Sequence, residues 1–200
     1  MTAIVFDLGG VLVDWNPRYL YAPLFGSDRD AMEDFLTRVC APEWNAEIDA
    51  GKSFAQAVSE RQRAFPEHAE LIALWRDGWP QMLRTAIAGS VDILAQLRCG
   101  GHRLFALSNW SAETFPIARS RFDFLDWFED IVVSGQVKLV KPDPRIFALA
   151  LERNGLTAQS TLFIDDLPAN VQAARALGMQ SVLFQGPELL HTELRHRGLL

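Results

Sequence analysis

Five short runs of uninterrupted apolar residues punctuate the chain, at 3–6, 104–107, 131–133, 162–164 and 182–184. Each stops at polar or turn-forming residues. Asp7, Gly9 and Gly10 follow the first, Ser108-Asn109 the second and Ser134-Gly135 the third. Asp165-Asp166 follow the fourth, and Gln185-Gly186-Pro187 the fifth. Continuous rather than alternating apolarity predicts strands covered on both faces, as in a parallel sheet. Between these runs the apolar positions repeat with helical spacing. Ser90 is placed to cap a helix carrying Val91, Leu94 and Leu97 on one face, with Gly100 in the left-handed position that ends it. Asp143 precedes Pro144 as a cap, Ile146, Phe147, Ala150 and Leu151 form the stripe, and Gly155 closes it. Pro168 opens another helix, with Val171, Ala174 and Leu177 inward. Strands alternating with helices predict an α/β fold built on a doubly wound parallel sheet.

The stretch 15–89 breaks this rhythm and shows no strand pattern. Ser27 precedes apolar residues at helical spacing (Ala31, Met32, Phe35, Leu36, Val39). Ser53 and Gln56 form a capping-box pattern. Leu71, Ile72, Leu74 and Trp75 predict a further helix. The expected organisation is a core from 1–14 and 90–200, interrupted by an all-helical insertion at 15–89.

Composition narrows the function classes. The 200 residues carry 19 Lys+Arg against 25 Asp+Glu, a net charge of −6. A 49% hydrophobic content with 13 Phe and 6 Trp is enough to build a core, which argues against disorder. The acidic balance, with no run of basic residues, argues against nucleic acid as a partner. No apolar stretch reaches the ~18 residues a membrane span needs, and the first residues lack the basic, apolar character of a leader. The expectation is a cytoplasmic monomer or homodimer. Cys40 and Cys99 stand in no metal-binding spacing and read as two reduced, buried thiols.

In an open parallel sheet, ligands bind outside the carboxyl ends of the strands. Here those ends carry Asp7, Ser108-Asn109, Asp165-Asp166 and, somewhat after the third strand, Lys141. Singly, each suits a turn or a helix cap. Together they place three carboxylates, a hydroxyl, an amide and an ammonium on one edge. Three carboxylates held close repel one another unless a cation neutralises them. Oxygen donors of this kind suit Mg²⁺, which takes one or two carboxylates together with substrate phosphate. Asp7 has the chemistry of a nucleophile that forms an aspartyl-phosphate. Ser108, Asn109 and Lys141 suit the phosphoryl oxygens.

The stretches Phe6-Asp7-Leu8-Gly9-Gly10-Val11-Leu12, Leu107-Ser108-Asn109, Lys141-Pro142-Asp143-Pro144-Arg145-Ile146-Phe147 and Ile164-Asp165-Asp166 with Asn170 resemble, in order, the motifs of the haloacid dehalogenase superfamily. The insertion resembles that family's helical cap. The nearest branch by motif is the one with glucose-1-phosphate phosphatases and epoxide-hydrolase phosphatase domains. The resemblance implies Mg²⁺-dependent hydrolysis of a small phosphorylated metabolite, with sugar phosphates favoured. It makes Asp7 the nucleophile and a metal ligand, with Lys141 holding nucleophile and phosphate. Asp166 is then a direct metal ligand, Asp165 acts through water, and Gly9 contributes its backbone carbonyl.

The sequence departs from the family pattern at Gly9, where its phosphatases usually carry a second Asp that protonates the leaving group. Such acid–base help is worth ~10²–10⁴-fold. Three consequences stay open: a substrate with a good leaving group, another acid from the substrate or the cap, or a weak catalyst. Asp14 is the nearest other acid in sequence. Two further readings compete. A 2-haloacid dehalogenase would share Asp7, Ser108-Asn109 and Lys141 without a metal. A catalytically weak protein would only bind phosphometabolites. Trp15, Trp44, Trp75 and Trp79 fall in or beside the insertion, where they pack it or stack on a sugar. The Pro and Gly around Asn16-Pro17 and Ala88-Gly89 suit hinges of the insertion, and Arg18 lies near the first, within reach of a substrate.

Overall fold

The computed structural model describes residues 2–200. Five parallel strands form the central sheet: β1 (Ala3–Phe6), β4 (Arg103–Ser108), β5 (Asp130–Val133), β6 (Thr161–Asp165) and β7 (Gln180–Leu183), in the order β5-β4-β1-β6-β7. The five apolar runs thus become the five strands, within two residues at each end. β1 lies in the middle, with Phe6 level with Ala106 on one side and Ile164 on the other. Successive side chains on β1 point to opposite faces. Ile4 and Phe6 join one apolar cluster, and Ala3 and Val5 join another. The second cluster includes Phe147 and Phe163, whose rings meet edge to face at 5.3 Å.

Two short strands that the hydrophobic pattern does not show, β2 (Val13–Trp15) and β3 (Leu83–Ala86), pair antiparallel in a separate ribbon. Residues 83–86 therefore depart from the all-helical expectation for 15–89. Leu83 is buried but Arg84 and Thr85 are exposed, so too few apolar positions mark the strand. Between the arms of this ribbon every described element is helical: α1 (Arg18–Phe25), α2 (Arg29–Asp34), a π-helical turn (Phe35–Val39), α3 (Pro42–Asp49), α4 (Phe54–Ala64), α5 (Ala69–Asp77) and α6 (Trp79–Met82). Its apolar residues, Tyr21, Phe35, Trp44 and Trp75 among them, are continuous with the cluster on one face of the main sheet.

The remaining α-helices among the described residues are α7 (Ala88–Cys99), α8 (Phe115–Arg121), α9 (Ser134–Val137), α10 (Pro144–Arg153), α11 (Pro168–Ala176) and α12 (Pro187–His196). Asp143 caps α10 through Arg145 N–H (2.9 Å) and Ser53 caps α4 through Gln56 N–H (3.2 Å), as their spacing predicts. Other caps differ. Helix α7 starts at Ala88, so Ser90 is inside it and its buried hydroxyl has no partner among the described residues. Gly101 rather than Gly100 takes the left-handed conformation. At α2 the cap is Asp28, which accepts from Ala31 N–H at 3.0 Å. Cys40 is buried, but Cys99 is exposed at the end of α7. No helix among the described residues is long and apolar enough to cross a membrane.

Candidate active site

The carboxyl ends of β1, β4 and β6 bring the sequence-predicted residues together. Asp7 is the first residue beyond β1, its N–H still donating to Ile164 C=O at 2.8 Å. Its carboxylate is nearly enclosed. Oδ1 accepts from the Leu8 amide at 2.7 Å and from the Ser108 hydroxyl at 2.9 Å. Oδ2 lies 2.9 Å from Lys141 Nζ. The same ammonium donates to Asp165 Oδ2 at 2.7 Å, so Lys141 bridges two acids while its own side chain is 1% exposed. Asp165 is fully engaged: Leu167 N–H and the Asn170 amide also donate to it, at 2.8 to 3.0 Å. Asp166 is half-buried. Carboxylate oxygens of Asp7, Asp165 and Asp166 all lie within 4.8 Å of one another.

Lys141 reaches this position because its loop is tied to the end of β4. The Asn109 side chain donates to Lys141 C=O (2.9 Å) and accepts from Lys141 N–H (2.8 Å). The Asn109 amide, expected at the phosphate, is thus engaged at both its ends with the Lys141 main chain. Gly10 turns the chain after Asp7 at φ +73°, and a Cβ there would stand 2.4 Å from Asp166 Oδ2. Only glycine serves both needs. At Gly9, by contrast, a Cβ would meet nothing within 4 Å, so packing does not exclude a larger side chain there.

The electrostatics are those of crowded acids. Burial lifts the Asp7 carboxyl to about 7 against an ordinary value of 3.8; Lys141 opposes the shift and the charge of Asp165 adds to it. Asp166 is raised too, by burial and then by Asp165. For Lys141, burial favours the neutral amine, but Asp7 and Asp165 outweigh it and hold the ammonium. One cation for three carboxylates leaves the cluster short of positive charge. This donor set, oxygen-only and convergent, fits a hard divalent cation.

Beside the cluster lies a cavity of about 110 Å³ lined by Gly9, Trp15, Phe54, Trp79, Trp110 and the polar Asn45, Asp49, Asn109 and Thr114. Two of the four tryptophans singled out from the sequence, Trp15 and Trp79, line it. Trp44 and Trp75 instead pack against each other at 5.4 Å. Trp110, Phe54 and Asp49 were missed: they come from the loop after β4, the start of α4 and the end of α3, and no local pattern joins them. Asp14 accepts a hydrogen bond from Tyr19 OH at 2.7 Å. Arg18 pairs with Glu33 on the surface. Neither lines the cavity.

A buried strand-end carboxylate thus faces Ser108, Lys141 and an acidic pair on the carboxyl edge of a doubly wound α/β fold. The chain matches the haloacid dehalogenase-like hydrolase family over residues 4–184 and belongs to it. It is 32% identical over 196 residues to a drimenol cyclase of Aspergillus calidoustus, covering 96% of this chain but only 35% of that protein's length. It is 27% identical to a phosphorylated carbohydrates phosphatase of Thermotoga maritima, covering 91% of this chain and 84% of the relative. Among solved structures, a family enzyme from Bacteroides thetaiotaomicron in complex with magnesium and inorganic phosphate shares the fold. Its TM-score is 0.69 at 21% identity, over 93% of this chain and 95% of that one.

Proposed function

We propose that this chain is a Mg²⁺-dependent phosphatase that hydrolyses a small phosphorylated metabolite through an aspartyl-phosphate on Asp7. The observation that carries the reading is the Asp7 carboxylate held between Ser108 and Lys141, with Asp165 and Asp166 within 4.8 Å. Asp7 and Asp166, with the Gly9 carbonyl, would hold the cation, which supplies charge neutralisation for carboxylates and phosphate alike. Asp165, saturated by Lys141, Leu167 and Asn170, serves through those partners and through water. Lys141 aims the Asp7 oxygen and balances charge on the phosphoryl group. Ser108 fixes the rotamer of Asp7, and Asn109 positions the Lys141 loop while keeping its main-chain N–H for phosphate. These are positioning and electrostatic tasks, which dominate phosphoryl transfer.

Residues 15–89 act in this reading as a cap over a core of 1–14 and 90–200, in a cytoplasmic enzyme. A sugar phosphate is the favoured substrate: the aromatic walls suit the face of a ring, and the amides and carboxyl suit its hydroxyls. The chain is 28% identical over 181 residues to a sesquiterpene phosphatase of Aspergillus oryzae, covering 86% of that protein, and with the same aromatic walls that relative makes a sesquiterpene phosphate the second candidate. Dehalogenation is disfavoured, because an acidic pair without a metal is costly. The deciding experiment is a panel of sugar, prenyl and aryl phosphates assayed with Mg²⁺ and with EDTA. Turnover should require Mg²⁺ and fall at least ~10³-fold in Asp7→Asn. Undiminished hydrolysis by Asp7→Asn would remove the nucleophile assignment. Inertness toward the whole panel would leave the binding-only reading that Gly9 motivates.

A further inference from the structure

The phosphatase reading leaves a proton unaccounted for, since Gly9 has no group to give to a leaving alkoxide. The insertion brings one to the same cavity. Asp49 is the last residue of α3, and with Gly9 and Asn109 it lines the cavity beside the acidic cluster. It is held there from both sides. The Asn45 amide donates to Asp49 Oδ2 at 2.9 Å, and Trp75 Nε1–H in turn donates to Asn45 Oδ1 at 3.2 Å. The main chain of Asp49 is anchored to the core: the Ser134 hydroxyl donates to Asp49 C=O at 2.6 Å and accepts from Trp110 N–H at 2.9 Å. That hydroxyl is fully buried. Gly135 lets the 110–112 loop pack close beside Ser134, since a Cβ there would stand 2.5 Å from the Ala112 nitrogen. A second tie runs from Phe54 N–H to Glu113 Oε1 at 2.9 Å.

We propose that Asp49, carried by the insertion, is the general acid–base of the reaction and takes the place of the carboxyl missing at Gly9. This rests on the phosphatase reading above. In the first half-reaction an Asp7 oxygen bonds to phosphorus and the bond from phosphorus to the ester oxygen breaks. The Asp49 proton goes to that oxygen, so the alcohol leaves neutral and Asp49 is left as carboxylate. In the second, water attacks phosphorus and gives a proton to Asp49, and the bond from phosphorus to Asp7 breaks. Inorganic phosphate leaves, with Asp7 again a carboxylate and Asp49 again an acid.

The protonation state needed at the start is available. Burial lifts the Asp49 carboxyl to about 7; the Ser111 amide opposes this and the charge of Asp7 adds to it. A carboxyl poised near neutrality serves both directions of transfer.

The test exploits the leaving group. A dinitrophenolate needs no proton, whereas an alkoxide does. Asp49→Asn should lower kcat/KM for an alkyl or sugar phosphate about 10²-fold or more. With 2,4-dinitrophenyl phosphate and Mg²⁺, the same variant should still release a burst of one equivalent of dinitrophenolate at close to the wild-type rate, then turn over slowly as the aspartyl-phosphate accumulates. The burst itself shows that the variant is folded. If the alkyl ester is unaffected, or if the burst slows as much as the alkyl reaction, Asp49 is not the acid. A second measurement needs no variant: across phosphate esters of rising leaving-group pKa, wild-type kcat/KM should change little, and a steep decline overturns the assignment. A wild type with no activity on any ester would take down the phosphatase reading and this one with it. Loss in Asp7→Asn with retention in Asp49→Asn would overturn this one alone.

Discussion

Replacing Lys141 with methionine keeps the length of the side chain and removes the cation that two buried acids share. In the wild type Nζ stands 2.9 Å from Asp7 and 2.7 Å from Asp165, and the three side chains are 1%, 10% and 0% exposed. Removing one partner from such a cluster costs about 3–5 kcal/mol, because the remaining charges stay buried without compensation. At roughly 2–4 °C per kcal/mol for a chain of this size, Lys141→Met should melt roughly 6–20 °C lower in EDTA at pH 8. The sign with pH follows from Asp7. Its carboxyl titrates at about 7 in the folded protein, so at pH 8 it is ionised and paired with Lys141, and at pH 5 it already carries a proton. The loss should therefore be smaller at pH 5 than at pH 8. Mg²⁺ at pH 8 should recover part of it, because a second cation can satisfy the same carboxylates. Thermal melts followed by circular dichroism at both pH values, with and without Mg²⁺, supply the four numbers. A variant as stable as the wild type at pH 8, or one whose loss is the same at both pH values, would refute the account of Lys141 as the counter-ion of Asp7.

The metal-free wild type carries a related signature. Asp7 has its folded pKa raised from 3.8 to about 7, so its protonated form stabilises the fold fully below about 4, and that contribution, up to about 4 kcal/mol, is lost as pH rises toward 7. In EDTA the melting temperature should decline over this window. The rise on adding Mg²⁺ should be larger at pH 8 than at pH 5, and a rise independent of pH would count against these carboxylates as the ligands. Gly10→Ala forces a Cβ to within 2.4 Å of Asp166 Oδ2 at a backbone φ of +73°. The left-handed backbone alone costs about 1–2 kcal/mol, and displacement of Asp166 should raise the Mg²⁺ concentration for half-activation at least tenfold. Unchanged Mg²⁺ titration in this variant would place the cation away from Asp166.

Much of this protein was determined by its sequence alone. The five apolar runs at 3–6, 104–107, 131–133, 162–164 and 182–184 specified the five strands, because a strand buried on both faces must be apolar at every position. The residues that stop the first, second and fourth runs, Asp7, Ser108-Asn109 and Asp165-Asp166, had to converge, because neighbouring parallel strands share one carboxyl edge. Local capping chemistry was legible where the cap and the first turn are contiguous, as at Asp143 and Ser53. The ribbon of Val13–Trp15 with Leu83–Ala86 was not legible, because its pairing joins segments some 70 residues apart and neither carries an alternating pattern long enough to register. The engagement of the Asn109 side chain with Lys141 was hidden for the same reason. So was the membership of the cavity. Asp49, Trp79 and Trp110 come from separate stretches of insertion and core, and the seating of α3 on the Ser134 hydroxyl helps to put Asp49 in the same cavity lining as Gly9. Set beside the family it resembles, the sequence lacks a carboxyl at one strand end, at Gly9. Which distant acid faces that gap depends on how two packed surfaces meet, and that is a property of the folded chain.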